Sequence, residues 1–286
     1  MARWALAALL VLSTGCASVV RNPVPESVHE QVTVLGREDF RNWGDCTHCT
    51  SFQDIRSPEE IERRYGGIMD REHNYLVISG GGANGAYGAG VLKAWSELET
   101  RPEFTIVTGV STGALTAPFA FLGEDYDDEL KLLYTSLDSS RIFLRRSIWS
   151  ILRGDSVADN TPLLHMLESY IDDDVIAAIA AEHRRGRLLV IGTTNLDASR
   201  PVLWNIGRIA DSGNPQAKEL IHQILLASAA IPGVFPPSYI NVQTADGRTY
   251  DEMHVDGGTG SQVFVYPAAA DWRLVTEKLK VQGKPQ

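Results

Sequence analysis

Gly109-Val-Ser111-Thr-Gly113 constrains this chain more than any other stretch. The apolar run Phe104-Thr-Ile-Val-Thr108 leads into it, and the small and apolar residues Ala114-Leu-Thr-Ala-Pro-Phe-Ala120 follow. Strand, G-x-S-x-G, helix is the setting of a nucleophile elbow, where the chain turns sharply and presents a serine at the apex. The flanking glycines lack the Cβ atoms that would clash in such a turn, and they tolerate unusual backbone angles. The hydroxyl then stands above a sheet, beside a helix N-terminus that favours developing negative charge. A Gly/Ser-rich loop without chemistry looks the same over five residues, so the assignment needs a partner elsewhere in the chain.

A second glycine cluster supplies one. Tyr75-Leu-Val-Ile-Ser79 reads as a strand and runs into Gly80-Gly81-Gly82-Ala83-Asn84-Gly85, after which residues 86–95 read as a helix of small residues. The first N–H groups of a helix have no partner inside it, so such a turn is a ready anion site. The oxyanion formed when a serine attacks an ester is such an anion, and one well-aimed donor lowers the barrier by about 2.7–4 kcal/mol. Gly80, Gly82 and Gly85 also fit G-x-G-x-x-G, the dinucleotide fingerprint. That reading expects a carboxylate at the end of the second strand, where this chain has Gly109-Val-Ser111-Thr-Gly113. A dinucleotide-binding protein therefore stands as the alternative. A P-loop is excluded because no Gly-Lys-Ser/Thr follows the glycines.

A serine nucleophile needs a group to take its proton. The histidines are His29, His48, His73, His165, His183, His222 and His254, and none follows Asp256. A triad using Asp256 thus lacks the Ser, acid, His order of α/β-hydrolases. Ser111 with Asp197 and either His222 or His254 stays open on order alone, although His222 lies in an apolar helical stretch that suits a core histidine. Asp256, in Met253-His-Val-Asp256-Gly257-Gly258, sits at a strand end before two glycines, where a side chain can be presented to a site. An Asp-Gly turn without function is the plainer reading.

These pieces together resemble the patatin-like phospholipases. Gly80–Gly85 resembles the family's oxyanion motif, Gly109–Gly113 its nucleophile motif, and Asp256-Gly257-Gly258 its Asp-Gly-Gly motif. Ala227-Ser-Ala-Ala-Ile-Pro-Gly-Val-Phe-Pro-Pro237 is similar to a further block ahead of the acid. The resemblance implies a serine acyl hydrolase acting on lipid esters (phospholipase A, lysophospholipase or esterase type) in lipid metabolism. It implies a Ser–Asp dyad without histidine or cofactor: Ser111 as nucleophile, Asp256 as proton acceptor, and Gly80, Gly81 and Gly82 as oxyanion donors. Asn84 departs from the family pattern, which often has Arg or Lys there, so no cation is offered to a phosphate. The chain also stops soon after the Asp-Gly-Gly motif, and the domain, residues 73–286, reads as C-terminally shortened.

Strands expected at 75–79, 104–108, 187–194, 202–206 and 251–255 alternate with helices at 85–98, 112–122, 126–136, 161–171, 174–184 and 216–229. The alternation predicts an α/β fold, a three-layer α/β/α arrangement with a mostly parallel central sheet and a site at the carboxyl ends of its strands. Arg56-Ser-Pro-Glu-Glu reads as a helix start with Ser57 as N-cap and Pro58 at N1.

Arg3 and the apolar run to Leu12, with small residues before Cys16, form a secretory signal over residues 1–15. The stretch resembles a bacterial lipobox, with Ser13 standing where the pattern prefers leucine. The expectation is a lipidated Cys16 and an anchored protein of the cell envelope, at the outer membrane given Ala17, facing periplasm or surface. Residues 16–72 read as a polar extension suited to a tether. Cys46 and Cys49 suit a disulfide in an oxidising compartment; no second ligand pair completes a zinc site with His48. Arg141–Arg153 mixes arginines with large apolar residues, either as an amphipathic helix over the core or as a segment meeting lipid. The net charge of −10 argues against nucleic-acid binding. The expected partners are a lipid ester and, through Cys16, a membrane; a non-catalytic lipid-binding lipoprotein is the remaining alternative.

Overall fold

In chain order the strands are β1 (Arg41–Trp43), β2 (Tyr75–Ile78), β3 (Ile106–Val110), β4 (Leu188–Asn195), β5 (Arg200–Asn205), β6 (Ser238–Gln243) and β7 (Thr249–Asp256). The helices are α1 (Pro58–Tyr65), α2 (Gly85–Glu97), α3 (Thr112–Leu122), α4 (Asp127–Ser136), α5 (Thr161–Tyr170), α6 (Asp173–Arg184), α7 (Ile206–Ala210), α8 (Ala217–Ser228) and α9 (Trp272–Leu279). The computed structural model describes residues 21–46, 57–136, 160–264 and 272–283. Arg141–Arg153, Cys16 and Cys49 lie outside them.

One sheet runs β1-β5-β4-β3-β2, with the β6–β7 hairpin joined to β4 through β7. The α/β character holds, but the sheet is mixed rather than mostly parallel. Parallel pairing is confined to β2–β3 and β3–β4, while β1–β5, β4–β5, β4–β7 and β6–β7 are antiparallel. For β4–β5 and β6–β7 the cause is loop length. Residues 196–199 join β4 to β5 and residues 244–248 join β6 to β7, and neither can make the crossover of a dozen or more residues that parallel strands require.

α3 lies against the sheet face that carries Val107, Leu189 and Ile191, and is buried from Gly113 to Phe121. Glycines permit its approach. A Cβ on Gly109 would stand 2.5 Å from the Gly113 carbonyl oxygen and 2.9 Å from Ala114 Cα, and one on Gly113 would overlap the Ile78 carbonyl. α1 starts as expected, with the Glu60 N–H donating to Ser57 Oγ at 3.4 Å and Pro58 in its first turn.

From residue 21 to 46 the expected tether is instead part of the fold. Val24, Val32, Val34, Phe40 and Trp43 are buried in the main core, and β1 extends the sheet beyond β5. These apolar residues come singly among polar ones, without the period of a helix or a long strand, so the segment reads as an extension. Cys46 is disulfide-bonded.

Candidate active site

Two strands meet end to end along one edge of β4. β5 occupies the other edge from Val190 to Asn195. β3 pairs with β4 as far as Val110 opposite Gly192, and β7 takes over with Asp256 opposite Thr193. Ser111 is the next residue after Val110, so topology alone carries Ser111 to Asp256. The Ser111 hydroxyl lies near enough to the Asp256 carboxylate to hold its carboxyl lower than burial alone would.

Ser111 is buried and precedes the first turn of α3 with φ 57° and ψ −127°. A non-glycine residue at positive φ is uncommon and persists when its surroundings over-determine it. Here the Ser111 N–H donates to Ser228 Oγ at 3.0 Å, and the Ser228 hydroxyl donates to the Gly192 carbonyl at 2.7 Å. Ser228, the fully buried last residue of α8, thereby ties the turn to β4 where β3 and β7 meet. Ser228 lies in the Ala227–Pro237 block, where the sequence alone assigns it no role. Its signal was present: a lone hydroxyl in the apolar run Leu225-Leu-Ala-Ser228-Ala-Ala230 must find partners when buried.

Asp256 is held on all sides. Its N–H donates to the Ala230 carbonyl at 2.9 Å, its carbonyl accepts the Thr194 hydroxyl at 3.1 Å, and its carboxylate accepts the Gly258 N–H at 2.7 Å. Burial pushes the carboxyl above its ordinary value; the bonds from Ser111 and Gly258 oppose this without cancelling it.

The glycine turn packs against the same point. A Cβ on Gly80 would stand 2.7 Å from Ser111 Cβ and 3.3 Å from its Oγ, and one on Gly85 would meet the Tyr134 hydroxyl at 2.6 Å. Gly81 and Gly82 are exposed, with Gly82 at φ 55° opening the 3₁₀ turn that feeds α2. Asn84 is exposed beside them.

The triads left open by residue order do not form. Asp197 receives Arg21 at 2.6 Å and the Met253 N–H at 2.8 Å. His222 Nε2 meets the Ile171 carbonyl. Both nitrogens of His254 are engaged, Nδ1 with the Thr193 hydroxyl at 2.9 Å and Nε2 with Glu252 at 3.1 Å. The Trp204 indole N–H already donates to Thr193 Oγ1 at 2.8 Å. Ionised Glu252 can only accept, so the proton of a neutral His254 sits on Nε2 facing it, and Nδ1 accepts from the Thr193 hydroxyl. Burial favours this neutral imidazole. Among the described residues no group of three or more His, Cys, Asp or Glu is placed to hold a metal ion.

The family model and the sequence relatives agree on one family. The model for patatin, described as patatin-like phospholipase, matches residues 76–269. A patatin-like phospholipase domain-containing protein of Pyricularia oryzae is 30% identical over 245 residues, 82% of this chain and 27% of that protein. One from Neurospora crassa is 29% identical over 178 residues, 60% of this chain and 19% of its own length. Patatin-2-Kuras 4 of Solanum tuberosum is 30% identical over 73 residues, 26% of this chain and 19% of that protein. The chain thus spans about a quarter or less of these relatives. The crystal structure of VipD from Legionella pneumophila superposes with a TM-score of 0.43 at 15% identity, over 71% of this chain and 48% of that one.

Proposed function

Since the chain belongs to the patatin-like phospholipase family, we propose that it is a carboxylic ester hydrolase that cleaves acyl esters of lipids with a Ser111–Asp256 dyad. The meeting of β3 and β7 on one edge of β4 carries this reading, because it sets a hydroxyl at the head of a buried helix beside a carboxylate of raised basicity. Ser111 Oγ attacks the ester carbonyl carbon as its proton passes to Asp256. The carbonyl oxygen becomes an oxyanion facing the N–H groups of Gly80, Gly81 and Gly82, aided by the positive end of α3. The tetrahedral adduct collapses, and the leaving alcohol takes the proton back from Asp256. Water, deprotonated by Asp256, then attacks the acyl-serine, and the fatty acid leaves with Ser111 restored.

The Ser111 N–H is given to Ser228, so the glycine turn, and not the nucleophile's own amide, receives the oxyanion. Asn84 brings no charge, and recognition centres on the acyl ester rather than on a phosphate. In this reading Cys16 is lipidated and the protein works at a bacterial envelope membrane, in lipid turnover.

The test is a fluorophosphonate probe together with turnover of a short-chain ester and of phospholipid vesicles. Ser111 should label, and Ser111→Ala should lower turnover by about a millionfold. Residual turnover near that of the parent overturns the assignment. Labelling with a fatty-acid analogue, compared between the parent and Cys16→Ser, checks the anchor separately.

A further inference from the structure

Residues 21–46 precede the family-matched region, which begins at residue 76, yet they wrap the hairpin that bears Asp256. β7 shares only the pairs Thr193–Asp256, Thr194–Val255 and Asn195–His254 with β4. The rest of its length is held by β6 and by the N-terminal segment. The Asp251 N–H donates to the Asn22 carbonyl at 2.9 Å. The Asn22 N–H donates to Asp251 Oδ2 at 2.6 Å and its side-chain amide to the Thr249 carbonyl at 2.7 Å. Arg21 spans Asp251 at 2.7 Å and Asp197 at 2.6 Å, and Asp197 accepts the Met253 N–H at 2.8 Å. On the outer strand, Thr33 and Gln243 exchange two backbone bonds of 2.8 and 3.0 Å.

A second arginine reaches inside. Arg41 on β1 makes two hydrogen bonds to the fully buried Glu252. Glu252 accepts from His254, His254 from Thr193, and Thr193 is the register partner of Asp256. Glu252, His254 and Asp256 alternate along β7 and so share one sheet face. Burial alone would raise the Glu252 carboxyl, but the Arg41 guanidinium and His254 outweigh it and hold it at about 2. A carboxylate of this kind is an anchor only while its arginine is in place.

We propose that the 21–46 segment is a clamp on the base-bearing hairpin, with Arg41 and Arg21 as positioning residues that keep Asp256 within reach of the Ser111 hydroxyl. The proposal rests on the reading of Asp256 as the base. A chain cut to the family-matched region would keep Ser111, Asp256 and the glycine turn, and would lose both arginines that hold β7.

The test uses Arg41→Gln and Arg21→Gln in the full chain, assayed on a soluble short-chain ester and normalised by fluorophosphonate titration of the active serine. The second variant alters a part-exposed arginine and guards against loss of folding in the first. Both should lower kcat at least about tenfold, the scale of a small misplacement of a reacting group, with KM unchanged. The acid limb of the rate profile should move to higher pH, because the Ser111 hydroxyl that holds the Asp256 carboxyl down is drawn away from it. A lower melting temperature with kcat per titrated site and acid limb unchanged overturns the clamp. Asp256→Asn, run alongside, separates the two ideas. If it keeps turnover, the base reading fails and the clamp with it; if it is inactive while both arginine variants behave as the parent, the clamp alone fails.

Discussion

Asp256 answers to two opposed demands. A base must be ionised to accept a proton, and burial disfavours its ionised form. The folded carboxyl titrates above its unfolded value of about 3.9. The stability it permits is therefore complete below that value and is lost as pH rises through the folded one. Asp256→Asn should abolish turnover and yet melt higher than the parent at pH 7, the gap closing as pH falls below about 4. Paired thermal melts across pH check this, and a parent that melts higher at pH 7 contradicts it. Turnover of the parent should in turn fall off on the acid side above the ordinary carboxylate range. Gly80 meets a constraint of space. With Ser111 Cβ 2.7 Å from where its own Cβ would be, Gly80→Ala must shift either the turn or the nucleophile. It should lower kcat by at least about a hundredfold, the loss seen when one oxyanion donor is removed. Single-turnover acylation rates report this directly.

At the scale of elements, the site is a joint between strand ends fastened by one helix terminus. Ser228→Ala would leave the Ser111 N–H and the Gly192 carbonyl without their partner, a cost of about 1–3 kcal/mol measurable by urea unfolding. The positive-φ turn at Ser111 loses its brace at the same time, so acylation should slow as well. Much of this joint is legible in the sequence. The strand–glycine–helix units around Gly80–Gly85 and Gly109–Gly113 show as β2–α2 and β3–α3 because close backbone approach demands glycine at fixed places. Asp256 is legible from the glycines after it. Strand direction is legible only where a connection is short, as between β4 and β5; the pairings of β7 with β4 and of β1 with β5 join strands far apart in the chain, and packing decides them. β6 escapes for another reason: its inward Ile240 and Val242 alternate with the exposed Asn241, but the run is short and follows directly on Pro236 and Pro237. Ser228 and the arginines at 21 and 41 matter through their partners, and no local pattern names a partner more than a hundred residues away.

For the molecule as a whole, the formal charge of −10 sets the terms of any encounter with lipid. An acidic protein is repelled by anionic headgroups over a Debye length of about 10 Å at 0.1 M salt. Hydrolysis of zwitterionic vesicles should therefore exceed that of vesicles enriched in anionic lipid, and added salt should narrow the difference; a preference for anionic vesicles at low salt runs against this. Arg21 sets a further condition. It is pinned between Asp197, just past the carboxyl end of β4, and Asp251 on β7. Only four residues of chain lie between it and Cys16, five Cα–Cα steps with a reach of at most about 18 Å. A lipid on Cys16 would be a leash shorter than a bilayer is thick. Substrate search would then be two-dimensional, confined to the leaflet that holds the anchor, with catalysis governed by the surface density of lipid rather than its bulk concentration.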